Sequence, residues 1–203
     1  MTKLIIIVGA ILALIILVVI GVVLWGTGIY NSCVSGEEKV TSSWSQVENV
    51  YQRRMELIPN LVETVKGFAK QEKDVFLGVT EARSKVNNIN LSSDIIDDPA
   101  KFQQFQNAQG EMSSALSRLM VVVENYPELK SNENFLNLQS QLEGSENRIA
   151  VERKRYNEVA MEYNTFIRKV PNSLIAGYYD FKPKEYFKMQ EGADTAPKVE
   201  FDK

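Results

Sequence analysis

The sequence predicts an all-α protein: an N-terminal single-pass transmembrane helix followed by an elongated antiparallel bundle of three, or of four, helices. An uncharged apolar run opens the chain. Beyond it, apolar residues recur at alternating steps of three and four, and Pro and polar breaks cut that pattern into segments. The expected division is a short flank at residues 1–3, a span at 4–26, a helical bundle at 27–187 and a polar tail at 188–203.

From Leu4 to Trp25 there are 22 residues without a charge, 17 of them Leu, Ile or Val. As a helix this run is about 33 Å long, close to the hydrocarbon thickness of a bilayer. On an insertion scale its aliphatic side chains contribute roughly −5 to −10 kcal/mol. Trp25 and Tyr30 stand at its C-terminal edge, where amphipathic rings settle among headgroups. A cleaved signal peptide would have a shorter apolar core and a small-x-small site, and Gly26-Thr27-Gly28-Ile29 fits that poorly. A lipoprotein signal ending at Cys33 is the other alternative, and Tyr30-Asn31 before it fits badly. Lys3 before the span balances Lys39 after it, so the N-terminal amine tips the expected orientation toward a cytoplasmic N-terminus and an extracytoplasmic bulk domain.

The next element starts near Trp44. Trp44, Val47, Tyr51, Arg54, Ile58, Leu61, Val65, Phe68, Glu72, Val75, Val79, Ala82 and Val86 form a coiled-coil-like stripe in which 11 of 13 positions are apolar or aromatic. The pattern predicts one helix of about 50 residues, about 75 Å long, kinked at Pro59, which cannot donate to the carbonyl of Met55. Asn87–Asp98 reads as a connection. Asp98-Pro99 then starts a second helix, Asp98 as N-cap and Pro99 at the first helical position, which ends at Tyr126-Pro127. A third begins near Ser131-Asn132 and is stopped by Pro171.

The second helix is much shorter than the first. If the third ends near the far tip, the membrane-proximal stripe of Val40, Trp44, Val47, Tyr51, Arg54, Met55 and Ile58 has no antiparallel neighbour. A stripe of that size is unusual on a monomer, so these residues are the expected self-association interface. Arg54 on that stripe is either a buried or interfacial charge that fixes register or binds an acidic partner, or a snorkelling side chain. Five aromatics, Tyr178, Tyr179, Phe181, Tyr186 and Phe187, concentrate near the C-terminal end. They form either a hydrophobic plug over the bundle end or a contact for a partner or for headgroups.

Composition narrows the chemistry. The 203 residues include no His and one Cys, which excludes Ser–His triads, structural zinc sites and haem attachment. Carboxylate, Lys or Tyr chemistry remains. Glu72 and Glu152 interrupt the stripes and would lie at a similar level if helices one and three were parallel, but ordinary surface charges explain them better. The net charge of −3 argues against a nucleic-acid partner. No Gly-rich phosphate loop, calcium loop or dinucleotide fingerprint occurs, and no cofactor is expected.

A further set of residues carries a family resemblance. Gly28-Ile29-Tyr30-Asn31 follows the span, then Trp44-Ser45-Gln46-Val47-Glu48, Tyr51-Gln52-Arg53-Arg54, Leu57-Ile58-Pro59-Asn60-Leu61-Val62 and Val65-Lys66-Gly67. Later come Tyr126-Pro127-Glu128-Leu129-Lys130, Asn134-Phe135, Glu146-Asn147-Arg148-Ile149, Arg155-Tyr156-Asn157 and Tyr163-Asn164. Together, over about residues 28 to 187, these resemble the signature of the LemA family of bacterial membrane proteins. Cys33 stands where the family commonly has an aliphatic residue, and Gln71 where it often has His. The resemblance implies a single-pass anchor in the bacterial cytoplasmic (inner) membrane and a helical domain, and supplies architecture more than mechanism.

The expected function is therefore a non-enzymatic, membrane-anchored helical scaffold that self-associates and organises membrane or membrane-protein assemblies. The alternative is a membrane-tethered adaptor or sensor that binds one protein partner through the bundle tip and C-terminal aromatics. The expected partners are the lipid bilayer through residues 4–26, further copies of the chain, and a membrane-associated protein.

Overall fold

The structure, a computed structural model, describes residues 2–89 and 93–188. Its helices are α1 (Thr2–Phe68), α2 (Lys73–Asn87), α3 (Pro99–Val123), α4 (Pro127–Lys130), α5 (Glu133–Arg168) and α6 (Asn172–Tyr178), with a 3-10 turn at Ser93–Asp97. No strand occurs among the described residues. The chain divides into two compact units, Met1–Ser42 with Val159–Pro183, and Ser43–Glu158 with Lys184–Lys203. Both α1 and α5 run through the division.

The first unit holds the apolar run. α1 contains a stretch long and apolar enough to cross a membrane, and Ile6 through Trp25 are exposed throughout. The helix does not stop after the run. No Pro falls between Gly26 and Ser42, and Thr27 and Ser32 donate their hydroxyls back to Val23 O (2.8 Å) and Gly28 O (2.9 Å), spending polar groups on the helix itself. Past the run, α1 buries Ile29, Cys33 and Val40, and α5 buries Ala160, Tyr163, Asn164 and Ile167, each at helical spacing. Gly36 makes the close approach possible: a Cβ there would stand 2.9 Å from Tyr163 Cδ2. Further toward the run, α6 lies on α1, with Ile175 Cδ1 3.6 Å from where a Gly26 Cβ would be. The Tyr179 and Phe181 rings sit 4.7 and 5.7 Å from Tyr30. Burial, and after it the Glu37 carboxylate, push the Cys33 thiol above its ordinary range.

The second unit is an up-down-up-down bundle of four helices. Its directions follow from named contacts. Trp44 meets Phe102 and Phe105, and Arg54 meets Gln109 and Ser113, so α3 runs parallel to α1. Gln71 and Glu72 meet Tyr126 while Lys85 meets Glu111, so α2 runs antiparallel to α3 and back along α1. Trp44 meets Tyr156 and Arg54 meets Glu146, so α5 is antiparallel to α1. One core joins Ile58, Leu61 and Val65 of α1, Phe76 and Val79 of α2, Met112 and Leu119 of α3, and Phe135 and Leu142 of α5. A second, aromatic cluster gathers Trp44, Tyr51, Phe102, Phe105, Tyr156 and Phe187 at ring separations of 5.0 to 6.4 Å. Asp98 caps α3 as expected, accepting from the backbone N–H of Ala100 (2.9 Å) and Lys101 (3.2 Å), with Pro99 in the first turn.

The expected single helix from Trp44 to Val86 is instead a hairpin. α1 ends at Phe68 and the chain reverses over Ala69–Glu72, where Tyr126 ties the turn by donating to Glu72 Oε1 (3.1 Å) and accepting from Gln71 Nε2 (2.7 Å). The apolar repeat carries through the reversal because Ala69 and Phe76 enter the same core from either side of it. Pro59 lies inside α1, and the helix continues past it. Lys154 and Glu158 form an i,i+4 pair on the surface of α5, 3.9 Å apart.

The premise of an uncovered proximal stripe also changes. Because α1 reverses, α3 starts at the level of Trp44, not partway along a longer partner. Because α5 runs antiparallel to α1, it does not end at the hairpin tip. Val40, Trp44, Val47, Tyr51, Arg54, Met55 and Ile58 are all buried within a single chain. Glu152 belongs near the level of Trp44, well away from Glu72, so the two carboxylates are not brought together.

Candidate functional site

Residues Lys184–Lys188 return to the second unit as a strap. Lys184, buried, forms an ion pair with Asp97 (2.6 Å), and Glu185 N donates to Ile96 O (3.0 Å). Tyr156 Oη donates to Glu185 O (2.9 Å), and the Asn157 amide exchanges two hydrogen bonds with the Phe187 backbone, both 2.9 Å. Arg153 Nη2 donates to Lys188 O (3.0 Å), and Lys188 N donates to Gln106 Oε1 (3.2 Å). Burial, followed by the nearby carboxylates of Asp97 and Glu185, raises the Tyr156 phenol far above its ordinary value.

Beside the strap opens a cleft of about 470 Å³, lined by Tyr51 and Arg54 of α1, Gln106, Gln109 and Ser113 of α3, Glu146, Ile149, Ala150 and Arg153 of α5, and Phe187. Arg54 is 1% exposed, so it does not snorkel. Its Nη1 donates to Glu146 Oε1 (2.7 Å) and Ser113 Oγ (3.3 Å), and its Nη2 donates to Gln109 Oε1. Among the described residues, Arg54 Nε and Gln109 Nε2 are buried without a hydrogen-bond partner. The Glu146 side chain is 42% exposed, so one end of the ion pair faces water. Arg153 stacks over Phe187 (4.7 Å to the ring centroid) and Arg54 over Tyr51 (5.2 Å). Burial raises the Tyr51 phenol, against the opposing pull of Arg153 and Arg54.

Two guanidinium groups thus face one carboxylate in a half-open cleft with aromatic walls and spare buried donors. Guanidinium groups with spare donors are suited by charge and geometry to an oxyanion or an acidic side chain. Among the described residues no cluster of three His, Cys, Asp or Glu could hold a metal ion.

Of the sequence-predicted partner contacts, Tyr178 and Tyr179 are exposed in the first unit, Phe181 and Tyr186 are half-buried, and Phe187 is buried in the aromatic cluster. The hydrophobic-plug reading therefore describes Phe187 and not Tyr178. Sequence reasoning singled out Arg54 but did not place Gln109, Glu146 and Arg153 beside it. The first two lie 55 and 92 positions from Arg54, and no local pattern pairs them with it.

The family model described as the LemA family matches residues 43–201. The chain is 30% identical over 182 residues to the magnetosome protein MamQ 1 of Paramagnetospirillum magneticum, covering 82% of this chain and 67% of that one. It is 29% identical over the same length to the magnetosome protein MamQ of Magnetospirillum gryphiswaldense, with the same coverage. It is 20% identical over 161 residues to the protein LemA of Metamycoplasma hominis, covering 79% of this chain and 69% of that one.

Proposed function

Taking as premise that the chain belongs to the LemA family, we propose that it is a non-enzymatic, membrane-tethered adaptor that receives an acidic group of one protein partner in the Arg54–Arg153 cleft. α1 tethers it, through residues 4–26, to the bacterial cytoplasmic (inner) membrane, with the bulk of the chain on the extracytoplasmic side. The cleft is the observation that carries this reading: a buried arginine with unpaired donors beside it, and a second arginine at the rim. The apolar stripe that favoured a self-associating scaffold is spent on the chain's own core. Two relatives are named as magnetosome proteins, which is in keeping with a membrane-associated helical protein.

A photo-crosslinker at Gln106, on the cleft rim, tests the proposal in full-length protein in native membranes. The expected product is one hetero-adduct heavier than the chain, lost in Arg153→Glu and absent when the label sits at the exposed Leu77. Only homo-adducts would return the scaffold reading, and no adduct at all would overturn the adaptor.

A further inference from the structure

α6 and its flanks carry apolar side chains that their own unit leaves uncovered. One side of the segment is used: Ile175 meets α1 at Gly26, Ala176 is buried, and Tyr179 and Phe181 stack on Tyr30. The other side presents Val170, Leu174 and Tyr178, at successive steps of four, with Leu174 69% and Tyr178 83% exposed. Burying such side chains in water-free surroundings is favourable, and a packed monomer seldom leaves three in a row outside.

Their place along α1 identifies what covers them. The strongly apolar run ends at Trp25, and α6 with the residues just after it touches α1 at Gly26 and Tyr30, within about 8 Å of helix rise beyond that end. That is the depth of headgroups and upper acyl chains in a bilayer spanned by the run. Trp25 and Tyr30 occupy the same level and are themselves partly exposed, as the aromatic belt of a membrane protein is. Arg168, Lys169 and Lys182 flank the segment, all exposed, against Asp180, which pairs with Lys182 at 3.4 Å. Cations beside apolar and aromatic side chains match lipid phosphates above acyl chains.

We propose that residues 168–182 form an interfacial collar that lies in the bilayer surface, with Val170, Leu174 and Tyr178 among the upper acyl chains and Arg168 and Lys169 at the phosphates. The chain then holds the membrane at two points: a helix that crosses it and a short segment that rests in it. The collar rests on the reading of α1 as a membrane span, and the test separates the two.

Full-length protein carrying Cys33→Ala is labelled with bimane at one of four new cysteines, Val18→Cys, Leu174→Cys, Tyr178→Cys or Leu136→Cys, and reconstituted into phosphatidylethanolamine/phosphatidylglycerol vesicles. Each position is exposed in the chain, so none of the labels disturbs a core. Lipids brominated near the headgroup are expected to quench the Leu174 and Tyr178 labels severalfold more than the Leu136 label. Lipids brominated deep in the acyl chain are expected to quench the Val18 label most. Quenching at Val18 without quenching at Leu174 and Tyr178 overturns the collar and leaves the span standing. Loss of quenching at Val18 overturns the span, and the collar with it. A blue-shifted but unquenched Tyr178 label means that protein, such as a second copy, covers the segment, and this also overturns the collar.

Discussion

Two stretches of α1 are both rich in Leu, Ile, Val and aromatics, and the fold treats them oppositely. From Ile6 to Trp25 every side chain is exposed, whereas Trp44, Val47, Tyr51, Ile58, Leu61 and Val65 are buried. The difference lies in the pattern. The first stretch is apolar all round and offers no polar face for water, so a single neighbouring helix could not satisfy it. The second is apolar on one face and charged or polar on the other, so three antiparallel and parallel neighbours cover it. The first stretch is long and apolar enough to cross a membrane, and the second is covered by the rest of the chain.

The largest test of that contrast is a matched pair of truncations. Trp44→Ala is expected to lower the unfolding free energy of the second unit by about 4 kcal/mol, because four aromatic neighbours lose their partner. Ile15→Ala is expected to change it by less than about 0.5 kcal/mol, since that side chain touches no core. Urea titration of full-length protein in detergent, followed by circular dichroism, measures both, and equal losses would break the comparison.

The buried stretch also holds a charge, and its cost is asymmetric. Glu146→Ala strands the buried Arg54 guanidinium and should cost about 2 kcal/mol, less than a fully buried pair because Glu146 is half in water. Arg54→Met keeps the volume and lets Glu146 rehydrate, so it should cost about 1 kcal/mol or less. The same titration orders the two variants, and the reverse order would mean that Arg54 is not truly desolvated.

Between the two stretches stands Gly36. A methyl group there meets the Tyr163 ring at 2.9 Å, so Gly36→Ala should lower the stability of the first unit by about 1.5 kcal/mol. Hydrogen exchange of α5 amides around Tyr163 would register the loss, and unchanged protection would show that the ring yields freely.

The smallest effect is a pH dependence confined to the second unit. Tyr156 stays neutral in the fold because burial raises its pKa, while in the unfolded chain it ionises near pH 10. The folded form therefore retains the proton longer, and its stability is fully present below about pH 10 and declines above it. By pH 10.5 the decline from this residue is about 0.8 kcal/mol, and Tyr156→Phe should remove it. An alkaline slope that survives the substitution would assign the effect to other groups, Tyr51 first among them.

Much of this was legible in the sequence, residue by residue. The span follows from length and the absence of charge, and the start of α3 from Asp98-Pro99. The LemA-family match spans residues 43–201, so the resemblance read from Trp44 onward points the same way. The hairpin was not legible as such, because a repeat of three and four looks alike whether a helix continues or reverses within one core. Its one local mark is the polar run Lys70-Gln71-Glu72-Lys73-Asp74, which puts Glu72 on the stripe. The cleft was still less legible, since what surrounds Arg54 comes from α3, α5 and the strap, and long-range pairing leaves no periodic trace. The strap shows why Phe187 and Tyr178, nine positions apart, part company: one is held by Asn157 hydrogen bonds and buried, while the other is 83% exposed and meets Tyr179 edge-on.

The aromatic cluster has an optical consequence. The chain has two tryptophans, Trp25 at the edge of the apolar run and Trp44 stacked against Phe187 at 6.0 Å. Trp44 emission is therefore a built-in gauge of whether the strap is seated, and Trp25 emission a gauge of its solvent. Replacing either tryptophan with Phe leaves the other as a single-colour reporter, so docking of the strap and contact with lipid can be timed separately without attaching a dye.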